Sequence, residues 1–326
     1  MKSERVLAAV AVAITALTIA APTAQAGQRL YDFEEVRLDN GLRVITLEDF
    51  SCPIVAVQVW YHVGSKNESP DRQGFAHMFE HMMFRGTELL GPEGHFELIR
   101  RTGGRNNAFT SFDYTAYVET LPANQLELAL WLEAERMMFL KVDDEGFQTE
   151  RRVVEEERRQ DLNEPYGTVF EKVVPVIFHE HPYRWTPIGN IPALRATQVW
   201  ELQRFWDTYY VPANAALVVV GAVTHEEARD LSERYFGWMP AASLAGANIP
   251  AEPPQTEPRA VDIEEPIGPL PLAGRIYRGV PDGHEDYIPL AILMGVLGEG
   301  ESSRLYQGLV RERSLCTQTV AEAYGL

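Results

Sequence analysis

Apolar residues recur at every second position in the N-terminal part of the chain. The odd-numbered positions from Val55 to Val63 are all apolar, and this period of two predicts a β-strand. Segments 33–38 and 42–49 predict two more strands around Asn40-Gly41, because Asn-Gly is a strong hairpin signal. The remaining strands are predicted over 107–111, 115–120 and the apolar run 215–221.

Helical periodicity replaces this alternation in other segments. Between Leu126 and Leu140 the apolar positions include Leu128, Leu132 and Met138, which predicts an amphipathic helix. Further helices are predicted over 72–85, 93–101, from about residue 145, over 199–209 and over 288–297. Because strands and helices do not follow a repeating βαβ order, we expect an α+β fold with a mixed or antiparallel sheet packed against helices.

The N-terminal 26 residues have the features of a signal peptide. Lys2 and Arg5 give a positive start, residues 7–21 are uncharged, and Ala24-Gln25-Ala26 provides a small-residue cleavage site. An uncleaved anchor is the alternative, but the apolar run is shorter than the roughly 20 residues needed to span a bilayer. We therefore expect an exported protein, located in a bacterial periplasm or secreted, with no stable membrane span after cleavage.

A proline-rich stretch divides the rest of the chain. Residues 239–258 read as a linker, so residues 27–238 are predicted to form one domain and residues 259–326 another. The prolines are Pro240, Pro250, Pro253, Pro254 and Pro258.

The chain is strongly acidic, with a formal net charge of −18. Nucleic-acid binding requires basic patches, so we expect no nucleic-acid partner.

Residues 77–81 read His-Met-Phe-Glu-His. On a helix, His77 and His81 lie one turn apart on the same face and can hold one metal ion. The order His-x-x-Glu-His is the inverzincin signature, in which Glu80 handles the proton of a zinc-activated water. Two histidines placed by accident on an exposed helix are the alternative, but the surrounding segment is mostly apolar.

A third ligand is expected in the acidic segment 150–159, because catalytic zinc usually takes three protein ligands. Glu150, Val153, Val154 and Glu157 share one helical face, which the valines mark as buried. We predict that Glu157 binds the metal and that Glu150 orients a ligand or the water. The alternative ligands are Glu150 and Glu156.

The chain resembles the pitrilysin/insulinase-type zinc metallopeptidases, a family that includes the mitochondrial processing peptidases. The resemblance runs from about residue 33 to the C-terminus. It rests on 38–42, 64–68, 77–81, 103–110, 150–157, 181–183, 210–214, 215–221 and 302–305.

This resemblance implies a zinc endopeptidase built as a half-clamshell of two similar domains, the second incomplete here. It implies one Zn²⁺ held by His77, His81 and Glu157, with Glu80 as general base. It places Asn107, Ala108 and Phe109 on an edge strand that holds a peptide substrate by strand addition, where the alternative is an ordinary strand. A second homologous half or subunit is expected to close the chamber.

Two other functions stay open at this stage. Some members of such families are structural partners of an active subunit, although such partners commonly lack the zinc residues that this chain keeps. A periplasmic metal-binding protein without hydrolytic activity is the other.

Overall fold

The computed structural model describes residues 31–242, 249–265 and 267–326. The predicted signal peptide, residues 1–26, lies outside these residues. None of the helices in the described ranges is both long and apolar enough to cross a membrane.

A mixed six-stranded sheet is the centre of the fold, in the order β1-β2-β6-β3-β5-β4. Strands β2 and β6 are parallel, and the other neighbouring pairs are antiparallel. The strands are β1 (Phe33–Arg37), β2 (Arg43–Glu48), β3 (Ile54–Tyr61), β4 (Arg105–Thr110), β5 (Thr115–Pro122) and β6 (Ala215–Gly221). The predicted α+β class and the predicted strands are confirmed.

The β1–β2 hairpin turns at Gly41, whose φ of +94° is a conformation that favours glycine. The neighbouring Asn40 is buried. Its side chain accepts a hydrogen bond from the Leu42 amide and donates one to the Phe236 carbonyl. The turn predicted from Asn-Gly is therefore also a tertiary contact that fixes the start of the sheet.

The helices are α1 (Phe75–Met82), α2 (Gly94–Arg101), α3 (Leu126–Phe139), α4 (Asp144–Asn163), α5 (Val169–Ile177), α6 (Ile191–Ala196), α7 (Val199–Tyr209), α8 (His225–Phe236) and α9 (Tyr287–Gly298). The buried side chains of β3 alternate along the strand and pack on one side of the sheet, where Tyr61 lies edge-to-face with Tyr117 of β5. The Tyr117 hydroxyl donates to the Phe79 carbonyl of α1. The alternation of apolar and polar residues thus gives the sheet the buried side on which α1 packs.

Helix α1 begins later than the predicted start at residue 72. Gly74 has a φ of +96° and ends the preceding loop. The buried Glu68 carboxylate accepts hydrogen bonds from the amides of Gly74 and Ala76, at 2.8 and 2.9 Å. A carboxylate at this position satisfies free amides of the first turn and complements the helix dipole.

Residues 259–326 contain α9 and a π-helical stretch, Tyr306–Glu312, and no strand among the residues that the structure describes. The helix α9 is apolar and largely exposed; Ile288, for example, is 63% exposed. Residues Phe33–Leu326 form one compact unit. The boundaries at 238 and 258, and the likeness of the second domain to the first, stay predictions.

The predicted linker contacts the first predicted domain through Glu252. The Glu252 carboxylate accepts hydrogen bonds from the consecutive amides of His179, Glu180 and His181, at 2.8 to 3.0 Å. Three neighbouring amides that converge on one anion form a nest.

A candidate metal centre between α1 and α4

His77 and His81 lie one turn apart on α1, as their spacing predicts, and α4 brings Glu157 to the same point. His77 Nε2 is 3.4 Å from His81 Nε2. The Glu157 Oε2 atom is 3.6 Å from His77 Nε2 and 3.4 Å from His81 Nε2. These three atoms form a nearly equilateral triangle.

This triangle fits zinc. Ligands about 2.0 Å from a tetrahedral ion lie roughly 3.3 Å from one another, which agrees with the observed separations. Two imidazoles and one carboxylate are also a common donor set of catalytic zinc sites. The structure therefore brings the three predicted metal ligands together in a geometry that can hold the ion.

The ionisation of the two histidines differs. Burial and the neighbouring His81 lower the pKa of His77 to about 4. Burial acts to lower the pKa of His81 as well, but contacts with Glu150 and Glu157 outweigh it and raise the pKa to about 9. The hydrogen bond with His81 lowers the pKa of Glu157. Without a metal, a proton on His81 provides the positive charge that the carboxylates face. Metal binding must displace that proton.

Glu150 lies behind the site and supports it. Its Oε2 atom is 3.4 Å from His81 Nδ1, and its Oε1 atom is 3.4 Å from Arg85 Nε. A carboxylate on the second nitrogen of a metal-binding histidine fixes the ring orientation and tautomer. The structure thus places Glu150 beside His81 rather than within the triangle, and its role in orienting a ligand stays a prediction.

The sequence predicts only part of the buried face of α4. Val154 is fully buried, whereas Val153 is 40% exposed, so the prediction that both valines mark the buried face is wrong for Val153. The reason is that a narrow stripe of the long, polar α4 contacts the domain. Glu156 forms an ion pair with Arg159 at 2.5 Å and lies away from the histidines.

Glu80 faces the histidines from α1 and is held by β4. The Thr110 hydroxyl donates a 2.6 Å hydrogen bond to Glu80 Oε2. Burial raises the pKa of Glu80, and the Thr110 hydrogen bond opposes that rise. A carboxylate with a raised pKa beside a metal site is suited to accept and return a proton.

Asn107, Ala108 and Phe109 lie on β4, the last strand of the sheet in the described residues. Within the sheet, β4 pairs with β5 alone, and its register sets Ala108 opposite Tyr117. Asn107 and Ala108 line the cavity next to Glu80. Phe109 packs near Trp60, with ring centroids 5.5 Å apart. Because side chains alternate along a strand, Phe109 lies on the same side of β4 as Asn107 and opposite Ala108.

A second cluster of potential ligands lies beneath the site. His95, Glu119 and Glu133 are buried close together. The Arg136 guanidinium forms an ion pair with Glu133 and lies 4.2 Å above the Tyr117 ring. Because Arg136 already supplies the cation, this cluster is a buried ion-pair network rather than a metal site. The members of this cluster are far apart in the sequence, so no local motif predicts it.

Two residues of the site were not predicted from the sequence. Thr110 contacts Glu80 through tertiary structure alone. Glu68 was recognised as part of a family-like turn, but its contact with the first turn of α1 depends on how that turn folds back.

Comparisons with known proteins identify the family of the chain. The family model described as Insulinase (Peptidase family M16) matches residues 43–191, and the model described as Peptidase M16 inactive domain matches residues 199–325. The second match begins inside the first predicted domain and includes β6, which is an inner strand of the sheet.

Two curated relatives illustrate the similarity. The zinc protease PqqE of Helicobacter pylori is 35% identical over 292 residues, covering 87% of this chain and 65% of the relative. A probable mitochondrial-processing peptidase subunit beta of Arabidopsis thaliana is 28% identical, covering 80% of this chain and 49% of the relative. The chain thus spans less than two thirds of the length of these two relatives.

Solved structures show the same likeness. A protease from Helicobacter pylori has a TM-score of 0.81 at 31% identity, covering 91% of this chain and 73% of that one. The periplasmic protease PqqL from Escherichia coli has a TM-score of 0.64 at 26% identity, covering 68% and 26%. The chain therefore belongs to the insulinase family of peptidases, family M16, as its motifs indicated.

Proposed function

We propose that this chain carries the catalytic centre of a zinc-dependent endopeptidase that hydrolyses peptides or unfolded polypeptides. The observation that carries this proposal is the triangle of His77, His81 and Glu157 ligand atoms, with Glu80 directed to the same site. When bound, zinc supplies a Lewis acid that polarises a carbonyl and makes a water molecule acidic near neutral pH.

The side chains around the triangle have separate roles in this proposal. Glu80 takes a proton from the attacking water and returns it to the leaving amine. Thr110 holds Glu80 by its hydroxyl, and Glu150 fixes the orientation of His81. No side chain has to form a covalent bond to the substrate.

Substrate binding uses the edge of β4 that no other strand of the described residues occupies. An extended peptide adds to this edge through backbone hydrogen bonds, so that Asn107 and Ala108 position it beside Glu80. Phe109 lies on the side of β4 opposite Ala108 and packs near Trp60.

Two further features extend the proposal beyond the site. A second homologous half, from the same chain or a partner, closes over the peptide, which fits the share of its relatives' length that this chain spans. Export to the periplasm fits the N-terminal pattern, and the similar protease PqqL from Escherichia coli is periplasmic.

The test measures zinc and hydrolysis separately. We expect one zinc per chain by metal analysis and cleavage of an unstructured, internally quenched peptide. Glu80→Gln should keep the zinc and lose hydrolysis by about 100-fold or more. Absence of bound zinc, or full turnover in this variant, would overturn the proposal. Zinc binding with no hydrolysis in any assembly would instead support the metal-binding alternative.

A further inference from the structure

The turn that joins β4 to β5 follows directly after Thr110, the residue whose hydroxyl holds Glu80. Two loops hold this turn in place. In the loop after β3, the Lys66 amide donates to the Phe112 carbonyl at 3.0 Å, and the Lys66 ammonium forms an ion pair with Asp113. A movement of this turn would therefore move the hydroxyl that orients Glu80.

The second loop joins α5 to α6, residues 178–190, and contacts the turn through Tyr183. The Tyr183 hydroxyl donates to the Asp113 carboxylate and lies 2.7 and 2.8 Å from its two oxygens. Burial and this hydrogen bond raise the pKa of Tyr183, so the hydroxyl keeps its proton. The Tyr183 ring also packs on the buried Phe112, with ring centroids 5.3 Å apart. Asp113 is thus held from both sides, by an ammonium and by a hydroxyl.

The α5–α6 loop also lies against the start of the helix that carries His77 and His81. A Cβ atom added at Gly189 would lie 2.3 Å from the Gly74 Cα atom, so the two backbones are in direct contact. Close packing of this kind transmits displacements. The α5–α6 loop therefore contacts both elements that form the site, α1 at its start and β4 through its turn.

Glu252 of the predicted linker fixes the α5–α6 loop. Its carboxylate accepts hydrogen bonds from the amides of residues 179–181, directly before Pro182 and Tyr183. Burial acts to raise the pKa of Glu252, but these hydrogen bonds outweigh it and lower the pKa. The His181 imidazole in turn accepts a hydrogen bond from the Tyr183 amide at 3.2 Å. A continuous series of contacts thus leads from the linker to Tyr183.

We propose that Tyr183 and Glu252 are positioning residues of the metal centre. Glu252 holds the α5–α6 loop, and Tyr183 of that loop holds the β4–β5 turn through Asp113. The turn in turn keeps the Thr110 hydroxyl on Glu80. This inference rests on the proposed peptidase function, and it makes the placement of the linker a determinant of how the base is oriented. Coupling along such a series of contacts is measurable by double-mutant cycles.

The first experiment measures peptide hydrolysis in single and double variants. Tyr183→Phe removes the hydroxyl and keeps the ring, so kcat should fall about fivefold while KM changes less than about twofold. In a Thr110→Val background, the same substitution should lower kcat by less than about twofold, because the hydrogen bond through which Tyr183 acts is already absent. Tyr235→Phe is the matched control, since the Tyr235 hydroxyl donates to the Glu127 carboxylate at the surface, and it should leave kcat unchanged.

The second experiment requires no hydrolysis. Hydrogen–deuterium exchange followed by mass spectrometry compares Glu252→Gln with the unmodified protein. Exchange should become about threefold faster or more in residues 178–186, and also in residues 110–114, which the α5–α6 loop separates from Glu252. Glu257→Gln, at an exposed position of the same linker, should change the exchange of neither segment.

The outcomes distinguish this inference from the proposed function. Faster exchange confined to residues 178–186 would overturn the inference even if the unmodified protein hydrolyses peptides. A full fivefold loss for Tyr183→Phe in the Thr110→Val background would do the same, as would equal losses of kcat in Tyr183→Phe and Tyr235→Phe. Faster exchange that extends to residues 110–114 would support the inference even if this chain alone hydrolyses no peptide.

Discussion

The Thr110 hydroxyl donates a 2.6 Å hydrogen bond to Glu80 Oε2 and so joins the edge strand β4 to the proposed general base. The two residues lie on β4 and α1. A peptide that adds to β4 is therefore positioned by the same strand that orients Glu80.

Replacing Thr110 tests this link. Thr110→Val keeps the shape and removes the donor, so kcat should fall about tenfold while KM changes little. Thr110→Ser keeps the hydroxyl and should restore most of kcat. Zinc content should be the same in both variants. Equal kcat values for the valine and serine variants would show that the hydrogen bond does not position Glu80.

Substitutions of Glu157 and Glu156 provide a matched test of the candidate metal site. Glu157→Gln removes a charged ligand atom and should weaken zinc binding by more than about 100-fold, as measured by competition with a chelator. Glu156→Gln should leave the affinity unchanged, because Glu156 pairs with Arg159 at the surface. The reverse result would assign the third ligand to Glu156.

Glu150 contacts His81 rather than the metal position. Glu150→Gln should therefore weaken zinc binding by about 10- to 100-fold, less than Glu157→Gln does. Chelator competition on the two variants side by side gives the order. A larger loss for Glu150→Gln than for Glu157→Gln would exchange their assigned roles.

Arg136 compensates two buried carboxylates, Glu119 and Glu133. Arg136→Met leaves both without a cation and should lower the free energy of unfolding by about 3–5 kcal/mol. Arg101→Met, which breaks an exposed ion pair with Glu97, should cost less than about 1 kcal/mol. Urea denaturation of both variants measures the difference. Similar losses would mean that the network is no more important than a surface pair.

Glu68 gives a prediction for pH. Burial raises its pKa from 4.5 to about 8, against the amides of Gly74 and Ala76, which favour the ionised form. The folded state therefore binds more protons than the unfolded state between these pKa values, and Glu68 makes the protein less stable as pH rises through this window.

Glu68→Gln removes this titration and one good acceptor. At pH 5 the variant should be less stable by about 1–2 kcal/mol, and its deficit relative to the unmodified protein should shrink as pH rises to 8. Thermal unfolding at several pH values measures the trend. A deficit that grows over this range would show that Glu68 is ionised throughout.

The sequence predicts which residues of the candidate metal site share a helical face better than it predicts what surrounds them. Spacing of four places His77 and His81 on one helical face whatever the helix packs against, and spacing of seven does the same for Glu150 and Glu157. Val153 was misplaced because periodicity does not tell how wide the contact of α4 is.

Contacts between segments that are far apart in the sequence were not predicted. The hydrogen bond from Thr110 to Glu80 and the hydrogen bond between His95 and Glu119 depend on the order of strands and helices in space. Helix α8 was missed although a local signal existed, since Thr224 lies three residues before Glu227 and accepts a hydrogen bond from its amide.

The edge of β4, which pairs with no further strand in the described residues, has a consequence for the proposed peptidase function. A sheet edge pairs with amide and carbonyl groups, which nearly every residue presents alike. A polypeptide whose amide and carbonyl groups are already paired in its own helices or strands cannot form these hydrogen bonds. Such an edge therefore selects first for segments that are unfolded. The identity of a side chain matters only after that.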